Sequence, residues 1–577
     1  MSSYPKGNKL SSNRAAKPRK RKFHGNQFTT ESDDTECNTS STERKLATAS
    51  TENIIVHLTH CYRIIEFVTV FFAISDIVIC RYCKQNIQFS ESGHRGLGFK
   101  IVLSCMCGHR EINSGPFINT RFEINRRIVF VMRLFGIERE GINVFCGLMD
   151  ICKGLAKSTY DQIVQHLYTA SKSMFKSVCE KAVKEEKEKN IEHDRSADCL
   201  KVSGDGSWKK RGFTSLFGVT TLIAYYSGKV VDLIVKSAYC HSCALQKNIL
   251  DEEEFEEWYN DHKESCSSNH DGLVGKMEVD SIVEMFLRSV ENFGVKYTNY
   301  IGDGDSKTFN GIVKMNPYGD DYPVTKNVCV EHVQKRMGTR LRNKRKEEKL
   351  GGKKRLTESL IKKLTIYYGL AIRRNIHSVH DMKKAVMATL DHYCSTDESP
   401  CHENCPTGTD SWCEWRKAEA TNRLASFKHS ARLIDEKVKE HIRPIYEELS
   451  NDDLMTRCLG GHTQNSNESF NSTVWRITPN HLNSGQKIVE IAAYMAAGMF
   501  NEGYSAVLHT MQLLNLKIGQ QCKMFADNVD IQRIERERRR SFLSSKEART
   551  ARRLEQLEQN EFHEEAEGLL YSAGIAH

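Results

Sequence analysis

The sequence predicts an α/β fold in which a mixed-sheet core is interrupted by a helical insertion and preceded by zinc-ribbon-like and helical parts. Strand-like runs at residues 201–208, 213–226 and 229–239 follow one another with a Ser227-Gly228 turn before the last, as in an antiparallel meander. A later strand pattern leads to Asp303. The long segment after it has helical patterning. We therefore expect a sheet that is completed only after an insertion.

Composition is typical of a soluble, globular protein with some solvated segments: 577 residues, 39% hydrophobic and 27% charged, with a net charge of +9. This length suggests about four domains. No signal peptide is expected, and the most apolar run, residues 64–80, is interrupted by Glu66 and Asp76, which makes it too short and too charged to span a bilayer. The 20 cysteines are therefore expected in a reducing compartment, as metal ligands rather than disulfides.

The first four segments are expected to be a tail, two modules and the beginning of the core. Residues 1–50 are predicted to form a disordered basic tail, in which Lys17-Pro18-Arg19-Lys20-Arg21-Lys22 is either a nuclear import signal or merely a solvated cluster. We expect a nuclear protein. Residues 116–195 are predicted to be helical, either as a DNA-binding part or as a scaffold. Residues 196–335 are predicted to form the first part of the core, and their meander resembles the opening of an RNase H-like fold.

Three cysteine and histidine clusters have spacings that indicate zinc. The zinc-ribbon-like module at 51–115 has the expected ligands Cys80, Cys83, Cys105 and Cys107, and His109 could replace one of the sulfurs. An insertion at 240–275 has the expected ligands Cys240, Cys243, Cys266 and His270. The helical insertion at 336–460 has the expected ligands His402, Cys405 and Cys413. The fourth ligand of the last cluster stays open, although Cys394 and Cys401 lie nearby. Buried free cysteines are the alternative, and a structural ion is preferred to a catalytic one.

Basic residues next to the core are expected to contact DNA phosphates. The larger group lies on the helix predicted at 335–349 and consists of Lys335, Arg336, Arg340 and Arg342. The second group follows the first strand of the core and consists of Lys209, Lys210 and Arg211. A solvated charged face is the alternative. Residues 461–521 are predicted to complete the core, with one long apolar helix over 488–514, and residues 522–577 to form a charged helical tail.

Three acids have the arrangement that metal-dependent phosphodiester chemistry requires. Asp205 and Asp303 each follow a strand pattern, and Glu468 opens a helix-like segment. Carboxylates on rigid elements can hold two Mg²⁺ or Mn²⁺ ions about 3.5–4 Å apart, one at the attacking oxygen and one at the leaving oxygen. Each Asp-Gly pair alone is equally typical of a turn, but the order strand acid, strand acid, helix acid is more specific.

Four motifs together resemble the Mutator-like transposase domain of eukaryotic DNA transposons, over residues 54–521. They are Asp205-Gly206-Ser207-Trp208-Lys209-Lys210-Arg211-Gly212, Gly302-Asp303-Gly304-Asp305-Ser306, Cys329-Val330-Glu331-His332 and Asn465-Ser466-Asn467-Glu468-Ser469-Phe470-Asn471.

This resemblance implies an RNase H-like core with a catalytic triad of Asp205, Asp303 and Glu468, with Asp305 as a rival for the second acid. It implies cutting of element ends, joining of the freed 3′-hydroxyl to target DNA, binding of double-stranded DNA and assembly as a homo-oligomer. Cys329 and His332 are expected to be a structural polar pair or half of a metal site. Two alternatives stay open: a domesticated, zinc-containing DNA-binding protein without catalysis, and an RNase H-like nuclease that cuts without joining.

Overall fold

The computed structural model describes residues 41–47, 54–210, 215–303, 306–352, 355–409, 411–429, 434–479 and 484–544. The chain divides into a large unit, residues 38–537, and a second unit made of residues 1–37 and 538–577. The fold below is that of the large unit. Residues 1–40 and 48–50 of the predicted basic tail, with its import cluster, lie outside the described residues, as do Arg211, Asp305 and the end of the charged tail. Residues 41–47 of that tail form a helix, so the prediction of disorder is wrong for them. Within these residues, no helix has the length and apolar character needed to cross a membrane.

The described N-terminal part contains six short strands and five helices. Strands β2, β3 and β4 form an antiparallel sheet, because residues 88–113 alternate strand runs with tight turns at Gly96 and Gly108. The elements are α1 (Ser41–Ala47), β1 (Val56–His57), α2 (Phe67–Ser75), β2 (Gln88–Arg95), β3 (Gly98–Cys105), β4 (Gly108–Asn113), β5 (Phe117–Ile118), β6 (Arg121–Phe122), α3 (Glu123–Leu134), α4 (Arg139–Leu148) and α5 (Lys157–Glu192).

A five-stranded mixed sheet forms the centre of the molecule. Its strands are β7 (Cys199–Trp208), β8 (Phe217–Ala224), β9 (Val230–Ser237), β10 (Lys296–Gly302) and β11 (Thr325–Val328), in the order β11-β10-β7-β8-β9. The first three pair antiparallel, whereas β10 lies parallel to β7 and β11 parallel to β10. Every residue of β8 is buried, so helices cover both faces of the sheet.

The segments between these strands supply part of the cover. They are α6 (His241–Gln246), α7 (Glu252–His262), α8 (Val274–Phe293), α9 (Ser306–Met315) and α10 (Val330–Glu347). Apolar residues of α8, among them Ile282, Met285 and Phe286, share a core with Leu200 and Val202 of β7. The opposite face packs against α5 and the later helix α17, whose bounds are given below. Helix α8 therefore packs its apolar side against one face of the sheet.

The helical insertion has an apolar core of its own. Helix α10 leads into it, and its buried residues Met337 and Leu341 pack with Leu364 and Tyr368 of α11. The helices of the insertion are α11 (Glu358–Arg374), α12 (Val379–Cys394), α13 (Glu414–Ala420), α14 (Glu436–Glu448) and α15 (Asp452–Arg457).

The last part returns to the sheet. It contains α16 (Asn465–Ile477), α17 (Gln486–Glu502), α18 (Tyr504–Leu513), β12 (Ile518–Gly519, paired with β1) and α19 (Gln520–Ser544). The single helix predicted over 488–514 is wrong, because Gly503 breaks it with a φ of +67°. The Asp530 carboxylate accepts the N–H of Tyr504 there and lies where a Cβ on Gly503 would be. Glycine is therefore required at this break.

Candidate active site

Asp205 lies on β7 opposite Thr221 of β8, and helix α16 lies across this part of the strand. Asn471 Nδ2 donates a hydrogen bond of 2.8 Å to Asp205 Oδ2. Asn471 sits one turn of α16 beyond Glu468, on the same side of the helix. The amide therefore fixes the orientation of one carboxylate beside the position of another.

Gln464, the residue before α16, and Asn467 of α16 fasten the helix to β7. Gln464 Nε2 donates to the carbonyl oxygen of Gly204 at 2.7 Å. Asn467, which is fully buried, accepts from the Ser203 hydroxyl at 2.9 Å and donates to the Ser203 carbonyl at 3.2 Å. Because residues three or four apart share one helix face, this stripe sets the rotation of α16 and thereby the direction of Glu468.

Asp303 follows β10 at the same edge of the sheet. Ile301 is in register with Ser203 in the parallel pair β10–β7, so Asp303 and Asp205 stand two residues further along their neighbouring strands. His332 Nδ1 lies 2.7 Å from Asp303 Oδ1. The ring is placed by the start of α10, because the Cys329 N–H donates to the Gly302 carbonyl at 3.4 Å.

Glu468 comes from the first turn of α16, as the sequence predicts for the third acid. Its side chain is 53% exposed, and Lys335 Nζ of α10 lies 3.7 Å from its Oε1. Helix α10 therefore provides a partner for two of the three acids: His332 for Asp303 and Lys335 for Glu468.

Electrostatics place the three acids in one neighbourhood. Burial, the largest cause, and the negative charges of Glu468 and Asp303 together raise the pKa of Asp205 to about 6, against the opposing effects of His332 and the Asn471 hydrogen bond. Among the described residues, the groups of metal-type ligand atoms that lie within 4.8 Å of one another are made of cysteine and histidine alone. The acids are thus close enough to interact without forming a compact ligand cage.

The oxygen atoms around Asp205 fit a hard divalent cation and its waters. Two buried amide oxygens, Asn471 Oδ1 and Gln464 Oε1, have no hydrogen-bond partner in the structure. Buried acceptors without partners are rare, and carboxylate and amide oxygens are ligands that Mg²⁺ accepts, together with several waters. Neither Asn471 nor Gln464 was predicted as a site residue, although the spacing of Gln464, Asn467 and Asn471 around Glu468 is a detectable signal in the sequence.

The model of one protein family, Mutator-like transposase, matches residues 52–413. The chain belongs to the Mutator-like transposase family. The matched part contains Asp205, Asp303 and His332, and it ends before Glu468. Comparison with curated proteins finds no match.

The first two cysteine clusters of this Mutator-like protein are compact, with one change of ligand. Cys80, Cys83, Cys105 and Cys107 come together as predicted. Cys240, Cys243 and Cys266 come together with His262 rather than with the predicted His270.

Local structure explains the exchange of histidines. His262 is the last residue of α7, and a 3₁₀ turn over Lys263–Ser265 brings Cys266 back beside it. His262 Nε2 lies 3.2 Å from Cys240 Sγ, and Cys243 Sγ lies 3.5 Å from Cys266 Sγ. His270 is buried elsewhere, with Nδ1 3.4 Å from Asp280 Oδ2. The spacing from Cys266 therefore identified the wrong histidine, on the wrong side of that cysteine.

The third cluster gains the ligand that the sequence left open. His392, in the last turn of α12, joins His402, Cys405 and Cys413. Cys394 and Cys401, the other nearby cysteines, are not members of this group.

The predicted DNA-binding residues differ in their exposure. Lys209 is only 4% exposed and its ammonium has no hydrogen-bond partner, so the structure does not present it to DNA, whereas Lys210 is exposed. Lys335 is exposed next to Glu468, and Arg336 is half-buried. Arg340 pairs with Glu448, and Arg342 Nε donates to Glu358 at 2.9 Å. Part of the positive charge of α10 is thus neutralised within the chain.

Proposed function

We propose that this protein is a DDE-type DNA transposase that cuts element ends by metal-dependent phosphodiester hydrolysis and joins the freed 3′-hydroxyl to target DNA. Membership of the Mutator-like family supports DNA transposition as the process. The observation that carries the catalytic part is the convergence of Asp205, Asp303 and Glu468, whose charges act on one another at one edge of the sheet.

The topology supports an RNase H-like core. Three antiparallel strands are followed by two parallel ones, in the order β11-β10-β7-β8-β9, and the two aspartates belong to the adjacent strands β7 and β10. A glutamate from a helix across the sheet then completes the acid set. This arrangement brings acids that are distant in sequence to one place on rigid elements.

In the proposed reaction a water oxygen attacks a phosphorus of the element end, and the bond from that phosphorus to the 3′-oxygen breaks. The 3′-hydroxyl then attacks a phosphorus of the target strand and displaces its 3′-oxygen. Divalent Mg²⁺ or Mn²⁺, when bound, would lower the pKa of the attacking group and neutralise the leaving oxygen. Asp205, Asp303 and Glu468 would hold these ions.

Neighbouring residues would position the acids. Asn471 fixes Asp205 through its 2.8 Å hydrogen bond, and His332 orients Asp303 at 2.7 Å. Lys335 and Lys210 would contact DNA phosphates, which dominate the affinity for duplex DNA. Assembly as a homo-oligomer and a nuclear location belong to the same proposal.

Zinc at the three cysteine and histidine groups would be structural. Their ligand atoms lie within 4.8 Å of one another in each group, and closed sets of four such ligands are typical of structural zinc. Each group joins chain segments that are otherwise connected by loops, so the ions would stabilise the ribbon, the insertion after β9 and the helical insertion.

The test is nicking and joining of DNA that carries the terminal sequences flanking the coding region, with Mg²⁺ or Mn²⁺ and with zinc retained. Wild type is compared with Asp205→Asn, Asp303→Asn and Glu468→Gln, and with Glu347→Gln as a control carboxylate on the exposed side of α10. We expect the three site variants to bind DNA without cutting and the control to cut normally. A wild-type protein that binds the ends but never cuts would favour a non-catalytic, domesticated DNA-binding protein. Cutting without joining would favour a nuclease.

A further inference from the structure

The third cluster, in the helical insertion, has a polar array behind one of its ligands. His402 Nε2 lies 2.8 Å from His429 Nε2, and His429 Nδ1 lies 2.6 Å from Asp397 Oδ1. Neither His429 nor Asp397 belongs to the group of ligand atoms itself. The array therefore runs from the ligand His402 outwards to a carboxylate.

The distances within the cluster fit a tetrahedral zinc ion that is bound by the Nδ1 atoms of the two histidines and by the two cysteine sulfurs. The two Nδ1 atoms, of His392 and His402, are 3.3 Å apart. Cys413 Sγ and Cys405 Sγ lie 3.4 Å and 3.8 Å from His402 Nδ1, and Cys405 Sγ lies 3.9 Å from His392 Nδ1. Ordinary zinc bond lengths in a tetrahedron give about 3.3 Å between two nitrogens and about 3.6 Å between nitrogen and sulfur.

The hydrogen-bond directions select the same ligand atom. When Nδ1 of His402 binds a metal, Nε2 carries the hydrogen and donates to His429 Nε2. The Nδ1–H of His429 then points at Asp397, and every group has a partner of the right kind. If Nδ1 of a neutral His402 carried the hydrogen instead, His429 would have to donate from Nε2 and would turn a bare nitrogen towards the carboxylate.

We propose that Asp397 and His429 are positioning residues for a zinc ion bound by His392, His402, Cys405 and Cys413, and that they hold His402 in the tautomer that ligates through Nδ1. Carboxylate–histidine pairs behind a ligand fix its ring and raise its basicity. This inference rests on the zinc part of the proposed function and does not depend on the cutting chemistry.

The same array joins a distant chain segment to the ion. Asp397 lies in the loop after α12, three residues beyond the end of that helix, whereas His429 lies on the segment between α13 and α14. The backbone N–H of His429 also donates to Asp397 Oδ1 at 2.8 Å. The ion would thus hold the end of α12, the following loop and the start of α13 directly, and the segment before α14 through His429.

A hydrolytic triad is the competing interpretation of these atoms, because Ser395 Oγ lies 3.0 Å from His429 Nε2. Ser395 is only 4% exposed, and its oxygen accepts the N–H of Cys401 at 3.0 Å. It also lies 2.9 Å from His402 Nε2. The serine is therefore enclosed by partners from the metal loop and has no approach for a substrate.

The ligand sets of the three clusters differ, which lets one experiment observe each of them. They contain four, three and two cysteines, and the chemical shift of bound ¹¹³Cd depends on the number of thiolates. The full-length protein is loaded with ¹¹³Cd, and the resonance of the site with two cysteines is assigned by its loss in His392→Ala. The rate at which a chelator removes zinc is then measured for wild type, His429→Gln, Asp397→Asn and the control His380→Gln, an exposed histidine of α12.

We expect the wild type to show all three resonances and the control to release zinc as the wild type does. His429→Gln and Asp397→Asn should keep the ion of the third site but weaken its affinity about 10–100-fold, with correspondingly faster release, while the other two ions are released at unchanged rates. Those two ions also report that the variants are folded. Wild-type release from the third site in both variants would overturn the positioning role. Absence of the third resonance from the wild type would overturn the zinc site itself, whether or not the protein cuts DNA.

Discussion

Replacing Asp205 by asparagine should stabilise the protein near neutral pH while it removes the proposed activity. Asp205 is held on β7 beside two other acids, and burial together with the charges of Glu468 and Asp303 raises its pKa from 3.8 to about 6. The folded state therefore disfavours the ionised form. Asparagine removes the charge and keeps a side-chain oxygen that can accept the hydrogen bond from Asn471.

The sign and size of the effect follow from linkage between protonation and folding. Because the pKa is higher in the folded state, the associated stability is fully present below pH 3.8 and is lost as the pH rises through about 6. A rise in pKa from 3.8 to about 6 corresponds to about 3 kcal/mol. Asp205→Asn should thus match the wild type near pH 3.5 and exceed its free energy of unfolding by up to about 3 kcal/mol at pH 7.5.

The assay is urea unfolding followed by tryptophan fluorescence between pH 3.5 and 7.5, with zinc sites loaded and no added Mg²⁺. Asp161→Asn, an exposed acid of α5, is the matched control and should change stability by no more than about 0.5 kcal/mol. Added Mg²⁺ should stabilise the wild type and not Asp205→Asn. Equal stability of the wild type and Asp205→Asn at pH 7.5 would refute the reasoning, because it would mean that the Asp205 charge is not disfavoured in the folded state.

Three further predictions test the support of the site, the zinc ligands and the DNA contacts. Asn467→Ala leaves buried polar groups of Ser203 without partners, so unfolding measurements should give a loss of about 1–3 kcal/mol, whereas Ser469→Ala, at an exposed position of the same helix, should be neutral. His262→Ala should lose one zinc equivalent by elemental analysis and His270→Ala none; the reverse result would restore the spacing-based ligand. Lys335→Gln should reduce the slope of log affinity for DNA against log salt by about one, and an unchanged slope would remove Lys335 from the interface.

The acids themselves could be predicted from the sequence because each belongs to a strong local pattern. Asp303 follows an apolar strand run, whereas Asp205 was predicted to follow one and instead lies within β7, which continues to Trp208. The parallel pairing of β10 with β7 brings the two acids to neighbouring positions. What the sequence did not predict is the set of amides that support them. Asn467 and Asn471 are polar and do not belong to an apolar pattern that would single them out. Their importance depends on which atoms of β7 they contact after folding.

The members of the cysteine and histidine clusters were predictable to the extent that they are local in sequence. The Cys-x2-Cys pairs and the irregular Cys105-x-Cys107 pair need only one turn, and the structure brings them together. His262 and His392 are positioned by the ends of α7 and α12. The last residue of a helix is difficult to predict exactly. If the predicted end is wrong by one residue, the side chain at that end is predicted to point away from the cluster.

The carboxylates do not hold the candidate site together, because their like charges repel one another. Its geometry is set by contacts that involve no acid: the bond from Gln464 to the Gly204 carbonyl, the paired bonds between Asn467 and Ser203, and the bond from the Cys329 N–H to the Gly302 carbonyl. Each of these hydrogen bonds fixes the part of a strand or helix that carries, or lies next to, one of the acids. Removing one negative charge therefore relieves repulsion and leaves the framework in place. For this reason, loss of cutting in Asp205→Asn, Asp303→Asn or Glu468→Gln would report on chemistry rather than on unfolding.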